Sequence, residues 1–134
     1  NAIGGVLSIA RKDPSNITAL ASRCGDVGAA LLETSAILAE GGQGDALCVI
    51  YDEPVPAVYD DGELGPSLPY AVAFLLTAEQ DAAMTLSLSE RPAASDQTPQ
   101  ALSLLRFLLS PAAESLNLAA GRHGWHFSKS VTGE

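Results

Sequence analysis

The sequence predicts an α/β layered fold, and three observations carry that reading. Val27, Ala30, Leu31, Thr34, Ile37 and Leu38 recur at three- and four-residue spacing, which gives one apolar face to a helix over about residues 26–40. A continuous apolar run, ALCVIY at 46–51, is entered through Asp45 and has the character of a strand buried on both faces. Only Gly41, Gly42, Gln43 and Gly44 separate the two, and ITALAS at 17–22 reads as a short strand upstream, so the order is strand, helix, strand.

Each element is bounded by recognisable signals. IGGVLSIARKDPSN, 3–16, begins with an apolar piece that suits either helix or strand, and the breaker run Asp13-Pro14-Ser15-Asn16 closes it. Asp26 is a candidate N-cap for the long helix and Gly41-Gly42 a natural stop. The helix's other face is mostly Ala, Gly and Ser, and a helix so small all round is expected to pack on more than one side. Residues 45–51 are expected to form a central strand of a mixed sheet with that helix packed on it. Residues 54–69 are a loop rich in turn formers and acids. YAVAFLLT, 70–77, and AAMTLSLSE, 82–90, read as neighbouring strands joined by the turn Ala78-Glu79-Gln80-Asp81. RPAASDQTP is a linker ending at Pro99, which suits the first turn of a helix over 99–110 with Leu102, Leu105 and Leu109 along one side. The tail NLAAGRHGWHFSKS carries the only Trp.

Bulk composition narrows the function classes. The 134 residues amount to a single domain's worth of chain, 1–134, with 47% hydrophobic residues, 12 Gly and 8 Pro. The net charge of −9, with only seven Lys and Arg, repels phosphate backbones and argues against nucleic acid as a partner. No apolar run approaches the roughly 18 residues of a membrane span, and a secretory signal is not recognisable at the start, so a cytoplasmic location away from the membrane is expected. The first residue is Asn1 rather than Met, which reads as part of a longer chain.

Few residues offer chemistry. The glycine pairs at 4–5 and 41–42 lack the dinucleotide fingerprint and the phosphate-loop lysine, so no cofactor is expected. His123 and His126 are three apart without paired cysteines and do not suggest a metal site. Asp52, Glu53, Asp60, Asp61 and Glu63 read as a solvated acidic segment, with Pro54 stopping the strand. Cys48 lies mid-strand as a small buried hydrophobe. Cys24 alone has the setting of a nucleophile: a thiol just before a helix sees unpaired N–H groups and the positive end of the dipole, which stabilise thiolate and could hold an oxyanion. Asp26 opposes this by placing negative charge at the same helix start, and neither His is near in sequence to act as base.

NAIGGVLSIA, ITALAS, GDVGAALLETSAILAEGGQGDALCVIYDEPVP, YAVAFLLT and the closing GWHFSK resemble the beta-ketoacyl synthase-like N-terminal domain family, over most of the chain. The resemblance implies a partial thiolase-like fold, with the long helix buried between sheets, the first strands of the sheet missing, and ITALAS at a strand that often pairs across a dimer interface. It places the condensing-enzyme nucleophile at residues 22–26: on Asp26 if the helix and following strand align without gaps, on Cys24 if EGGQGD carries two extra residues. The half that supplies two His and a Lys in condensing enzymes has no counterpart here. The resemblance therefore implies no catalytic residue and a chain-length-factor-like accessory role in fatty-acid, polyketide or aryl-polyene-type synthesis. Expected partners are a ketosynthase subunit, an acyl carrier protein and further copies of the chain, since exposed sheet edges and apolar faces need covering. The competing readings are an active condensing enzyme or acyltransferase using Cys24, and an interaction domain with no acyl ligand.

Overall fold

Eight elements form in the computed structural model, which describes residues 2–21, 26–41, 44–59, 66–78, 84–92 and 98–130. The apolar start is a helix, α1 (Ala2–Arg11). Its end follows from local hydrogen bonding: Lys12 takes a left-handed φ of 53°, Lys12 N–H donates to Ile9 O (3.2 Å) and Asp13 N–H to Ser8 O (3.0 Å). That is a Schellman cap made without glycine. The Asp13 carboxylate then accepts the Ser15 N–H (2.9 Å) and hydroxyl (2.5 Å), which fixes the breaker run as an Asx turn. These Ser15 bonds, the hydroxyl first, and then the Arg11 charge hold the Asp13 carboxyl below its usual pKa.

Residues 17–21 form no strand, contrary to expectation, and Ser22 lies outside the described residues. A strand needs a ladder partner, and no described segment lies beside this one to supply it. α2 (Val27–Gly41) matches the sequence reading closely. It buries Val27, Gly28, Leu31 and Thr34, while Leu32, Glu33, Ser35, Ala36 and Ile37 remain exposed. Among the described residues it is therefore packed on one side rather than on several.

β1 (Asp45–Asp52) and β2 (Tyr70–Thr77) pair antiparallel over eight residues, from Asp45↔Thr77 to Asp52↔Tyr70. Ala46, Cys48 and Ile50 face inward with Val72, Phe74 and Leu76, against α2. Among the described residues the apolar run of β1 is thus covered on one face only. The expected mixed sheet with 45–51 at its centre is not formed among them either: β1–β2 is a two-stranded sheet, and every described ladder is antiparallel.

β3 (Met84–Glu90) does not neighbour β2 as its place in sequence suggests. It joins a second sheet, β3–β5–β4, with β4 (Ser115–Ala120) and β5 (His123–Lys129). Gly121, at φ 59°, opens the two-residue turn between β4 and β5, where a left-handed residue matches the strand twist.

α3 (Gln100–Leu109) begins after Pro99, as expected. Its buried stripe is Ala101, Leu104 and Phe107, not the Leu102, Leu105 and Leu109 side, and Leu109 is 74% exposed. Both stripes have helical spacing in a helix this rich in leucine. The seat against β4, β2 and α2 selects the one that meets the core. That core joins Val27 and Leu31 of α2, Cys48 and Val72 of the first sheet, α3, and Trp125 and Phe127 of β5. Lys129 Nζ donates to Ser110 O just beyond α3 and lies 4.9 Å from the Phe107 ring centre, so a cation neutralises the negative helix end.

Candidate functional site

The head of α2 is where chain chemistry and fold converge. Asp26 stands at the N-cap: its carbonyl accepts Ala30 N–H (3.3 Å), and its carboxylate accepts Ala29 N–H (3.1 Å) in the first turn. The same carboxylate oxygen accepts the indole N–H of Trp125 at 2.6 Å. A negative group here is favoured by the helix dipole, and a carboxylate acceptor makes the indole bond charge-assisted.

Two further residues close the site. Gln100, first residue of α3, accepts Val27 N–H through Oε1 (3.3 Å) and donates through Nε2 to Ala119 O (2.6 Å). One amide therefore ties the start of α2 to the start of α3 and to β4. The Trp125 ring lies directly on Gly28, where an added Cβ would sit 2.4 Å from ring carbons Cδ2 and Cε2. Glycine is required at position 28 for close approach rather than for backbone conformation.

The arrangement has a chemical consequence. An anion or oxyanion site at a helix start needs first-turn N–H groups directed at open space. Here the Val27 and Ala29 N–H groups are directed at Gln100 and Asp26, and the indole covers residue 28.

The other sequence candidates are dispersed. Cys24 lies outside the described residues. Cys48 is buried on the inner face of β1, across from Phe74. His123 is exposed at the start of β5, while His126 Nδ1 meets Asn117 Oδ1 at 2.9 Å; three residues apart on a strand, they point to opposite faces. Among the described residues no three His, Cys, Asp or Glu side chains gather as a metal site. Asp52 and Glu53 are exposed where β1 ends, and Asp52 Oδ1 accepts the Glu53 N–H (2.9 Å). Asp60, Asp61 and Glu63 lie outside the described residues. Tyr70, opposite Asp52, has its phenol pKa raised, first by burial and then by the Asp52 charge. No described helix is long and apolar enough to cross a membrane.

Trp125 and Gln100 were not legible as site residues. Each lies far along the chain from Asp26, and only the docking of α3 and β5 brings them to it. A lone Trp beside Gly124 and a Gln after a helix-opening proline are signals too common to select.

The family described as beta-ketoacyl synthase, N-terminal domain, matches residues 1–128. Comparison with curated proteins found no match. Among solved structures, the chain is similar to one described as a ketosynthase (ApeO) in complex with its chain length factor (ApeC) from Xenorhabdus doucetiae. The TM-score is 0.79 at 23% identity, over 96% of this chain and 53% of that chain. The likeness shows a ketosynthase-type, thiolase-like α/β fold in partial form. The chain spans about half the length of the one it matches.

Proposed function

The chain belongs to the beta-ketoacyl synthase N-terminal domain family, and from that premise we propose that it is a non-catalytic, chain-length-factor-like partner of an active ketosynthase. One observation carries the reading: the start of α2, where a condensing enzyme of this resemblance holds its nucleophile, is closed by Asp26, Gln100 and Trp125. A carboxylate at the cap is a poor acyl acceptor from a thioester, and its charge raises the cost of a thiolate beside it. In this reading neither Cys24 nor Asp26 acts as a nucleophile, and no cofactor takes part.

The solved structure of a ketosynthase with its chain length factor supports a ketosynthase as partner. Within the same proposal, an acyl carrier protein delivers chains to that partner, in fatty-acid, polyketide or aryl-polyene-type synthesis. Uncovered apolar side chains on α1 (Ile3, Val6, Leu7, Ile9) and at Ile17 and Leu20 offer surface for association, with the ketosynthase or with further copies.

Incubation with an acyl thioester, followed by intact mass, tests the catalytic part. The expected result is no adduct in the wild type or in Cys24→Ser. Stoichiometric acylation lost in Cys24→Ser would replace this proposal with an active acyltransferase. Reconstitution with the ketosynthase and acyl carrier protein of the same organism tests the accessory part. Addition of the chain is expected to change product length or yield, and an unchanged product would leave only a domain without an acyl role.

A further inference from the structure

From α2 onward the described elements fall into two groups, each contiguous in sequence, with no described ladder between them. The first is α2, β1 and β2, with α2 on the inner face of the strand pair. The second is α3 with the β3–β5–β4 sheet. The two are unequally held. The first has one strand pair among the described residues, and a two-stranded sheet is marginal by itself. Leu47, Val49, Tyr51 and Leu75 stand exposed on its outer face. The second group pairs β5 on both edges and fully buries Leu104 and Phe127. It also fastens the end of β5 beside α3, where Lys129 Nζ donates to Ser110 O and Lys129 N–H to Glu114 O (3.1 Å).

One apolar core runs through both groups, but apolar contact is non-directional. Two hydrogen bonds that fix one group on the other meet at the head of α2: Val27 N–H to Gln100 Oε1 (3.3 Å) and the Trp125 indole N–H to Asp26 Oδ1 (2.6 Å). The indole ring also rests on Gly28. The second bond of Gln100, from Nε2 to Ala119 O (2.6 Å), stays within its own group and anchors it there. Gln100 and Trp125 thus belong to the second group and grip the first by one helix end. We propose that α2, β1 and β2 open together as one unit while α3 and the second sheet stay folded, and that Gln100 and Trp125 are the clasp that sets how rarely they open. Opening releases the Val27 N–H and lifts the indole from Gly28, so the same motion uncovers the helix start. The proposal does not depend on whether a ketosynthase is the partner.

The test is native-state amide hydrogen exchange on the whole chain, read residue by residue. In the wild type the slowest amides of β1 and β2 are expected to exchange about tenfold or more faster than the slowest of β5, because the first group opens without global unfolding. The decisive comparison uses three substitutions, all in the second group. Gln100→Leu and Trp125→Phe loosen the clasp, and each should speed exchange in α2, β1 and β2 about tenfold, the scale of one buried polar group left unpaired. Leu86→Ala weakens the second sheet on β3, whose described partner is β5. It should speed exchange in β3 and β5 and leave β1 and β2 unchanged. Trp125→Phe keeps an aromatic ring beside Gly28, so it remains informative if Gln100→Leu disturbs the fold. Equal slowest rates in the two sheets of the wild type would overturn the proposal. So would a Leu86→Ala variant that speeds β1 and β2 as much as β3 and β5, the behaviour of a single cooperative unit. Unchanged β1–β2 exchange in both clasp variants would overturn it as well, since the core alone would then hold the groups together.

Discussion

The head of α2 and the outer face of β1–β2 lie on neighbouring elements but have opposite characters. At the first, Trp125 donates to Asp26, Gln100 bridges Val27 and Ala119, and the indole leaves no room for a Cβ on residue 28. At the second, a row of large apolar side chains has nothing of the described chain over it. The closed site derives its order from residues remote in sequence. The open face derives its pattern from two adjacent strands. Closure argues against chemistry at the helix start.

The comparison is broken most directly at the closed site, where the largest effects are expected. Trp125→Ala removes a buried aromatic and leaves the Asp26 carboxylate without its indole donor, and should cost about 3–5 kcal/mol in denaturant unfolding. Gly28→Ala forces a methyl into the ring and should cost about 1–3 kcal/mol, despite the better helix propensity of alanine. The two are coupled through one contact. In a Trp125→Ala background, Gly28→Ala should cost nothing or stabilise slightly, and full additivity would show that the ring does not rest on Gly28.

Asp26→Ala should cost about 1–3 kcal/mol, as it removes a helix cap and a charge-assisted acceptor together. Asp26→Asn keeps an acceptor oxygen and should lose less. An equal loss in both variants would mean that charge, rather than capping geometry, holds the site.

Much of this was legible from local pattern. The cap at Asp26, the span of α2, the strands at 45–52 and 70–77 and the helix after Pro99 follow from periodicity and breakers within each segment. What the sequence hid was pairing. β2 and β3 are consecutive strands with a short polar connection, yet they belong to different sheets, because β3 finds its partner in β5 some forty residues later. The apolar run in β1 reads identically whether one face or two are covered. α3 has two apolar stripes of helical spacing, and tertiary docking selects the one with Ala101, Leu104 and Phe107. Asp26 was legible as a cap but not as the acceptor for Trp125, for the same reason.

Substitutions on the open face should be nearly silent for stability, and this sharpens the contrast. Val49→Thr faces outward and should change unfolding by within about 0.5 kcal/mol, whereas Val72→Thr places a hydroxyl in the core and should cost about 1–3 kcal/mol. Equal costs would mean that the outer face is covered within the chain itself.

The smallest expected effect lies at the end of the β1–β2 ladder, in the titration of Tyr70. Burial and the neighbouring Asp52 charge both disfavour the phenolate, so its folded pKa lies above the ordinary value of about 10. The neutral phenol is thus favoured by folding, and its contribution is fully present below the unfolded pKa. It declines as pH rises from about 10 through the higher folded value, because the unfolded chain releases the proton first. Since the ring is only partly buried, the slope should be shallow. Phenolate absorbance in the near ultraviolet should show one tyrosine titrating late, and Tyr70→Phe should remove that late phase. Asp52→Asn should bring it closer to its ordinary value without abolishing the shift, as burial is the larger cause. A late phase that survives in Tyr70→Phe would assign the shift to another tyrosine.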